Sequence, residues 1–485
     1  MRTAFWLGLT VSAGTVAYGC TTLSDDCRLT GTCALPFVPS DGVGGMPPTA
    51  STAGEDPTTS GTGEGGGGSE PVPPGIVWQR AYGDAGADSL CDIVVDSSDN
   101  IYAAGRFTGN ISFDDEPGND LVATGTDTFL ARLAGNGASV WSARFDVGCV
   151  ALSERSGRVY YGGSYSTSDQ AIPFGSLSLP ASLQTASWFV AGVNAQSGEL
   201  QFVLPSSSNR NNYLRSFDSQ SQSWVMVEDR LSERQVFSSE VRLFRGTTSL
   251  NDVPFAPRPR HVVYVDSNTI YAVGAFSGSV TIGEQDLTSE GSSDVFVTRL
   301  DSSLAPTWSR SFGSSAAESP NDVGFLEDGT IVIVGSSRGD FEFGQGAVAN
   351  GGEVDAFVVT LADDGTPLSA ASFGGAGIDT FSSIAVGGGL IAMAGSVTDD
   401  ISVGDQTFEV VDQDALVVAL DDATLVPQFA AVGSGLGEQS TTAIEIDSLG
   451  RTIVGGTFQE SINFGGGPLA SAGDTDAFLV QFEPN

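Results

Sequence analysis

The chain contains no lysine. All 20 of its bases are arginine against 59 acids, which leaves a formal net charge of −39 over 485 residues. So acidic a surface repels phosphate backbones and anionic lipid headgroups, which excludes nucleic acid as a partner and leaves no electrostatic route to a membrane. Histidine occurs once, at His261, and no Cys-x-x-Cys is present, so an ordinary zinc site is excluded as well. A sustained helical period is missing after the N-terminus. The one apolar run, from Ala4 to Val16, is too short to cross a bilayer. Glycine, by contrast, is abundant at 63 residues, and 28 phenylalanines supply ample core. That combination favours short strands joined by tight turns.

The first twenty residues have the form of an export signal, with Arg2 as the basic segment and Ala4–Val16 as the apolar one. The segment ends Ala17-Tyr18-Gly19-Cys20, which resembles the lipobox of bacterial lipoproteins. The resemblance implies cleavage after residue 19 and lipid on Cys20; ordinary signal-peptidase cleavage after Gly19 is the alternative. There are five cysteines, and an odd number in an exported protein needs one to be otherwise engaged. Lipid on Cys20 leaves Cys27, Cys33, Cys91 and Cys149, an even set suited to an oxidising compartment. Residues 34 to about 74 are dominated by Gly, Ser, Thr and Pro, with too few apolar side chains to offset ordering entropy. They form a tether with a root-mean-square reach of roughly 35 Å. The expected division is a signal peptide at 1–19, a Cys-containing tail and disordered tether at 20–75, and a folded body at 76–485.

The body repeats. Gly105, Gly163, Gly274, Gly335, Gly395 and Gly456 recur at intervals of 58, 111, 61, 60 and 61 residues, and the long interval holds one degenerate copy around Trp224-Val225-Met226-Val227. Seven copies result, each with four strand-like runs. In the clearest copy these lie at about 322–327, 330–335, 356–361 and 367–373, with Asp-Gly turns inside both hairpins. Seven four-stranded units predict an all-β, seven-bladed β-propeller. The last copy stops after its third strand at about Gln481, while an unpaired fourth-type strand, Ile76 to Gly83, precedes the first copy. Pairing the two closes the ring and removes an exposed edge.

The motif D-x-F-x-x-x-L-x-x-x-G-x-x-x-W, seen in Asp294-Phe296-Leu300 with Trp308 and in Asp355-Phe357-Leu361-Gly365, resembles the bacterial β-propeller repeats of exported and cell-surface proteins. It is also similar to the quinoprotein blade motif, although vicinal cysteines are missing. The resemblance covers residues 76–485 and implies fold far more than activity.

Counting eleven residues back from Tyr102 and its equivalents places Cys91, Cys149, Tyr213, Arg260, Asn321, Phe381 and Thr442 in one ring at the channel mouth. This register favours a Cys91–Cys149 disulfide between adjacent blades, with Cys27–Cys33 as the second pair; two free thiols at 91 and 149 are the alternative. The same face carries the long loops, where binding residues concentrate. Eight arginines fall within 210–260, among them Arg210, Arg215, Arg258 and Arg260, followed by His261. Either this island binds an anionic group or its arginines pair with nearby acids in an atypical third blade.

The recurrent Asp before each third strand admits calcium, but no loop has calcium-ligand spacing, and a turn-capping role fits as well. Gly335-Ser336-Ser337-Arg338-Gly339 matches a nucleophile elbow only in letters, because it follows a propeller strand. No cofactor or metal is expected. The function expected is a non-catalytic binding or scaffolding module, monomeric and lipid-anchored at the outer membrane, facing the periplasm or the cell surface. Its partner would be an envelope glycan or protein. The alternative is a polysaccharide-acting hydrolase or lyase with its site at the channel mouth.

Overall fold

The computed structural model describes residues 75–484, except 115–118, 166–170, 182–186, 207–211, 221–222, 233–234, 246–247 and 345–346. Seven four-stranded antiparallel sheets follow one another along the chain, and each is one blade, with strands named A to D from the inside out. The A strands are Ser89–Val95, Ala151–Arg155, Asn212–Gln220, Pro259–Asp266, Glu318–Phe325, Thr380–Gly387 and Gln439–Ile446. The seven-bladed propeller is therefore the fold. Its ring closes as the sequence predicts: Ile76–Tyr82 is strand D of blade 7, pairing antiparallel with Asp476–Phe482, from Ile76 opposite Phe482 to Tyr82 opposite Ala477.

Between strands B and C, six blades carry an additional two-stranded hairpin, such as Ser279–Ile282 with Gln285–Thr288. The sequence suggests an excursion there but not its pairing. Blade 3 departs from the others by passing from Ser223–Ser232 to Gln235–Arg245 with no room for such a hairpin. Its strands, at 10 and 11 residues, are longer than their counterparts. The repeat is shortened because the excursion is missing, not because the blade is small.

Two residues of the repeat acquire a physical reason. The strand-B Gly lets the Phe of the D-x-F motif lie against bare backbone. A methyl group on Gly335 would stand 2.8 Å from the Phe357 ring and collide with the Ser319 carbonyl. The second is the Gly of the C–D turn, which takes φ of +77° at Gly137, +70° at Gly198 and +79° at Gly365. A Trp from strand D of the preceding blade covers each of these turns. Trp78 Nε1 donates to Gly135 O (3.2 Å), Trp141 Nε1 to Ala195 O (3.2 Å) and Trp308 Nε1 to Asp363 O (3.0 Å). In blade 5 the Trp position is Leu368, which is left exposed.

The Trp latch joins neighbouring blades, so damage to it should appear as global destabilisation. Gly365→Ala forces a Cβ into left-handed backbone and to within 2.9 Å of the Trp308 ring. A loss of about 1–2 kcal/mol is expected from the backbone alone, read as a lower urea midpoint, with Gly389→Ala in the open turn of blade 6 as the conformational control.

Candidate functional site

The strands that line the channel share a deformation near their start. In blades 1, 4, 5 and 7 the A–B ladder skips one residue, giving bulges at Cys91, Arg260, Asn321 and Thr442. Blades 3 and 6 bulge at Arg215 and Ser382, not at Tyr213 and Phe381. In blade 2 the residue aligned with Cys91 is Val150, and Cys149 precedes it. The cause is hairpin length, to which blade 3 adds a one-residue displacement of strand B, with Val225 and not Trp224 equivalent to Tyr102. The A–B turns of blades 2, 3 and 6 are one residue shorter than that of blade 1, and a one-residue slip moves every side chain to the other face. Phe381 is accordingly buried in the core, edge-on to Phe373 at 5.6 Å. Blade 4 has a short turn too, but a second bulge between Tyr264 and Asp266 restores its register.

The bulge residues reach sideways into the next blade. Arg260 Nη1 donates to Ser319 Oγ and, at 3.3 Å, to Pro320 O. Asn321 Nδ2 donates to Phe381 O (2.7 Å) and Ser382 Oγ to Thr441 O (2.9 Å). Cys91 and Cys149 meet as free thiols joined by a hydrogen bond. Burial, with this contact second, pushes the Cys149 thiol well above its ordinary value. A second tier lies deeper in the channel. Asp92 Oδ2 accepts from Leu152 N (2.7 Å), Asp218 Oδ2 from Tyr264 N (2.9 Å) and Asp322 Oδ2 from Ile384 N (3.1 Å), each across to the following blade. His261 Nδ1 stands 3.8 Å from Asp322 Oδ1. Glu445 lies among these carboxylates. Burial raises its pKa to about 8, and the charges of Asp92 and Asp322 add to the shift while Arg155 opposes it.

The third-blade arginines converge on two buried acids. Asp229 Oδ2 accepts from Arg215 Nε (2.8 Å) and from Arg258 Nε (3.0 Å) and Nη2 (2.5 Å), while Ser239 Oγ donates to Asp229 Oδ1 (2.6 Å). Arg242 Nη1 donates to Glu228 Oε2 at 2.8 Å. Glu228 stands where the other blades have the strand-B Gly, directly opposite Glu240 in place of the motif Phe. Blade 3 has exchanged the Gly–Phe contact for two facing acids, and Arg242 pairs with the first of them, Glu228. Tyr213 pairs in the ladder with Asp229, and its side chain falls outside the described residues, as do Arg210, Cys20, Cys27 and Cys33.

The recurrent Asp at the start of strand C caps the turn before it: Asp355 Oδ2 accepts from Gly351 N (2.7 Å), Asp414 Oδ2 from Val411 N (3.0 Å) and Asp476 Oδ2 from Ala472 N (2.7 Å). This is the turn-capping arrangement, and no group of three or more metal-type ligands forms among the described residues. In the elbow-like stretch, Ser337 Oγ donates to Gly339 O (2.7 Å) and belongs to a turn.

No protein-family model matches the chain, and no curated protein matches it in sequence. Solved structures do resemble it in fold. The WD40 domain of Neurospora crassa Pan2 aligns at 10% identity and TM-score 0.40, over 82% of this chain and 90% of that one. BamB from Moraxella catarrhalis aligns at 10% identity and TM-score 0.39, over 84% and 99%. The β-propeller domain of the Trilobed protease from Pyrococcus furiosus, described as an open velcro, aligns at 10% identity and TM-score 0.38, over 67% and 83%. The strand order itself makes this chain a β-propeller, with its velcro closed.

Proposed function

We propose that the protein is an exported, lipid-anchored propeller that acts as a non-catalytic binding or scaffolding module at the bacterial cell envelope, with an envelope glycan or protein as its partner. The observation that carries this reading is where the chain enters the ring. Strand D of blade 7 begins at Ile76, beside the A–B and C–D turns, and Glu483 N donates to Gly75 O on the same side. The chain thus enters the ring on the short-turn face, which leaves the opposite face, with the six extra hairpins and the D–A connections, clear of that entry, and loops on a rigid scaffold are where recognition is built. The polar residues of the channel mouth and of blade 3 support the same assignment, because they are engaged in bracing adjacent blades.

The test uses the full-length chain extracted from membranes. Its intact mass should show loss of residues 1–19 and lipid on Cys20. Reconstituted in vesicles, it should bind an envelope polysaccharide or envelope-fraction protein saturably. Removal of the Ser279–Thr288 hairpin tip, Gly283-Glu284, should weaken that binding, and Asp328→Asn in an A–B turn should not. Absence of saturable binding to either class would sink the proposal. A second reading as a polysaccharide-acting enzyme has one feature in its favour: burial, with the charges of Asp92 and Asp322 beside it, raises the Glu445 pKa to about 8, a shift suited to a general acid. Glycan cleavage lost in Glu445→Gln would establish it.

A further inference from the structure

Neighbouring blades are also joined on the hairpin-bearing face, by a device that recurs at four consecutive joints. The residue before strand C of one blade forms a parallel bridge with a residue just ahead of strand A of the next: Ser293 with Ala317, Val354 with Ile378, Gln413 with Glu438, and Thr475 with Ala87. Each bridge sets two polar side chains against each other, both buried: Asp294 and Glu318, Asp355 and Asp379, Asp414 and Gln439, and Asp476 and Asp88. Like charges in such a place repel, and nothing so costly recurs without compensation.

The hydrogen bonds show which member bears the charge. Asp88 accepts from Asp84 N (3.0 Å) and Thr108 N (3.0 Å), one amide on each oxygen, and Asp379 accepts likewise from Gly375 N (2.7 Å) and Thr398 N (3.3 Å). Those are carboxylates. Their partners differ. Asp355, Asp414 and Asp476 each have Oδ2 bonded to a turn amide, but Oδ1 of all three is buried and without a hydrogen-bond partner. At the remaining member of this set, Gln439 Nε2 donates to Leu436 O (3.0 Å) and Ser461 O (3.0 Å), and Gln439 Oε1 is buried and without a partner. A methyl group built on Gly83 would strike both Asp476 Oδ1 and Asp88 Oδ2, so these two oxygens share one small space. One on Gly374 would lie 2.5 Å from Asp355 Oδ1, beside the Gly375 amide that serves Asp379. At the Asp294–Glu318 joint the need does not arise, because Ser289 Oγ already donates to Asp294 Oδ1 (2.9 Å).

We propose that three consecutive blade joints, 5–6, 6–7 and 7–1, each hold a proton on the Oδ1 of the strand-C Asp, which donates it to Asp379, Gln439 and Asp88 respectively, so that the closing half of the ring is locked by protonation. The Gln at the middle joint separates this from a cation site. Two acceptors, Asp414 Oδ1 and Gln439 Oε1, are left without a partner there with a single carboxyl group between them to ionise, and the backbone at all three joints presents N–H donors, which suit a protonated carboxyl and not a bound cation. The charges that bear most on these groups from the surrounding loops are Asp84, Asp399 and Asp412, all acidic, which favours the neutral form further.

Burial raises the pKa of Asp414 to about 6, with Asp412 adding to it, and raises Asp88 to about 6, with Asp476 and Asp84 adding to it; Asp355, Asp379 and Asp476 are raised for the same first reason. The folded-state value lies above the unfolded one of about 3.9. The contribution is thus complete below about pH 4 and is lost as pH rises through the raised folded-state values; at the 6–7 joint, where Asp414 is raised to about 6, it is worth roughly 100-fold in the unfolding equilibrium.

The experiment is urea unfolding of the full chain between pH 5 and 8, with Asp355→Asn, Asp414→Asn and Asp476→Asn beside the Ala variants. An Asn amide donates to the same acceptor at every pH. The Asn variants should flatten the pH dependence and match or exceed the parent at pH 8, while Gln439→Glu should steepen it. Asn variants as unstable as the Ala variants at pH 8 would overturn the proposal. So would calcium raising the parent's midpoint at pH 8 in a manner the Asn variants abolish. Should a variant not fold, side-chain carboxyl NMR titration of the parent decides: Asp groups titrating near pH 6 sustain the proposal, and carboxyls all titrating below pH 5 refute it.

Discussion

Deleting residues 1–82 will abolish the folded ring, whereas deleting residues 1–74 will leave its unfolding midpoint unchanged. Strand Ile76–Tyr82 is the outer strand of blade 7 and carries the chain from that blade directly into blade 1. Its removal exposes the full length of Asp476–Phe482, a strand buried along its length, as an unpaired edge. It also removes Tyr82 from the core and Trp78 from the blade-1 turn. Burial of those side chains and of Ile76 is worth on the order of 5 kcal/mol, against a net stability of about 5–15 kcal/mol for a whole protein. Size-exclusion chromatography and thermal unfolding of the two truncations separate the outcomes. A cooperative transition in the shorter protein at the parent's temperature would show that blade 7 closes without its fourth strand.

The second large effect is expected at Asp229. Asp229→Ala leaves Arg215 and Arg258 facing a cavity in a region where Arg215 is 13% exposed, and takes the acceptor from Ser239. Breaking a buried pair by removing one partner costs about 3–5 kcal/mol, here concentrated on blade 3 and its joint with blade 4. The loss should appear in urea unfolding and as early amide exchange in 212–255. Ligand recognition by the arginine island would predict the opposite ordering, with Arg215→Ala and Arg258→Ala impairing binding at unchanged stability. The stability of the double variant Arg215→Met/Asp229→Leu is the discriminating control, since an apolar replacement of a buried pair is close to neutral.

The resemblance of the third blade to a binding site in the sequence has a simple origin. Arginines are visible in a sequence, but the acids they meet are fourteen or more residues away on other strands. Glu228 and Asp229 look like ordinary solvated residues until the ladder places Glu228 where other blades have glycine and buries Asp229 beside it. The channel ring shows the same limit at finer scale. Eleven-residue spacing locates Cys91, Arg260, Asn321 and Thr442 at the bulge, because their hairpins keep the register of blade 1. It misplaces Phe381 by one residue because a two-residue turn removes one position and inverts the faces, and Tyr213 by two because, in addition, Val225 and not Trp224 is the equivalent of Tyr102. That signal was present in the turns, in Gly388-Gly389 against Asp96 to Asn100, and a count of turn lengths recovers Ser382.

Some features are determined by the sequence alone. Seven repeats of four strands, split between the two ends, specify a closed propeller, because each blade is a local unit whose hairpins are set by neighbouring residues and Asp-Gly turns. The D-x-F, Gly and Trp positions follow the same logic, since every copy must meet the same neighbour. What the polar residues do was decided by tertiary structure. A carboxylate's role depends on whether an amide, an arginine or a second carboxyl faces it, and those partners come from the next blade. Asp92, Asp229 and Asp476 are one residue type in the chain. In the ring they become an inter-blade staple, an ion-pair hub and a proton donor, because burial and the facing group set the charge each one carries.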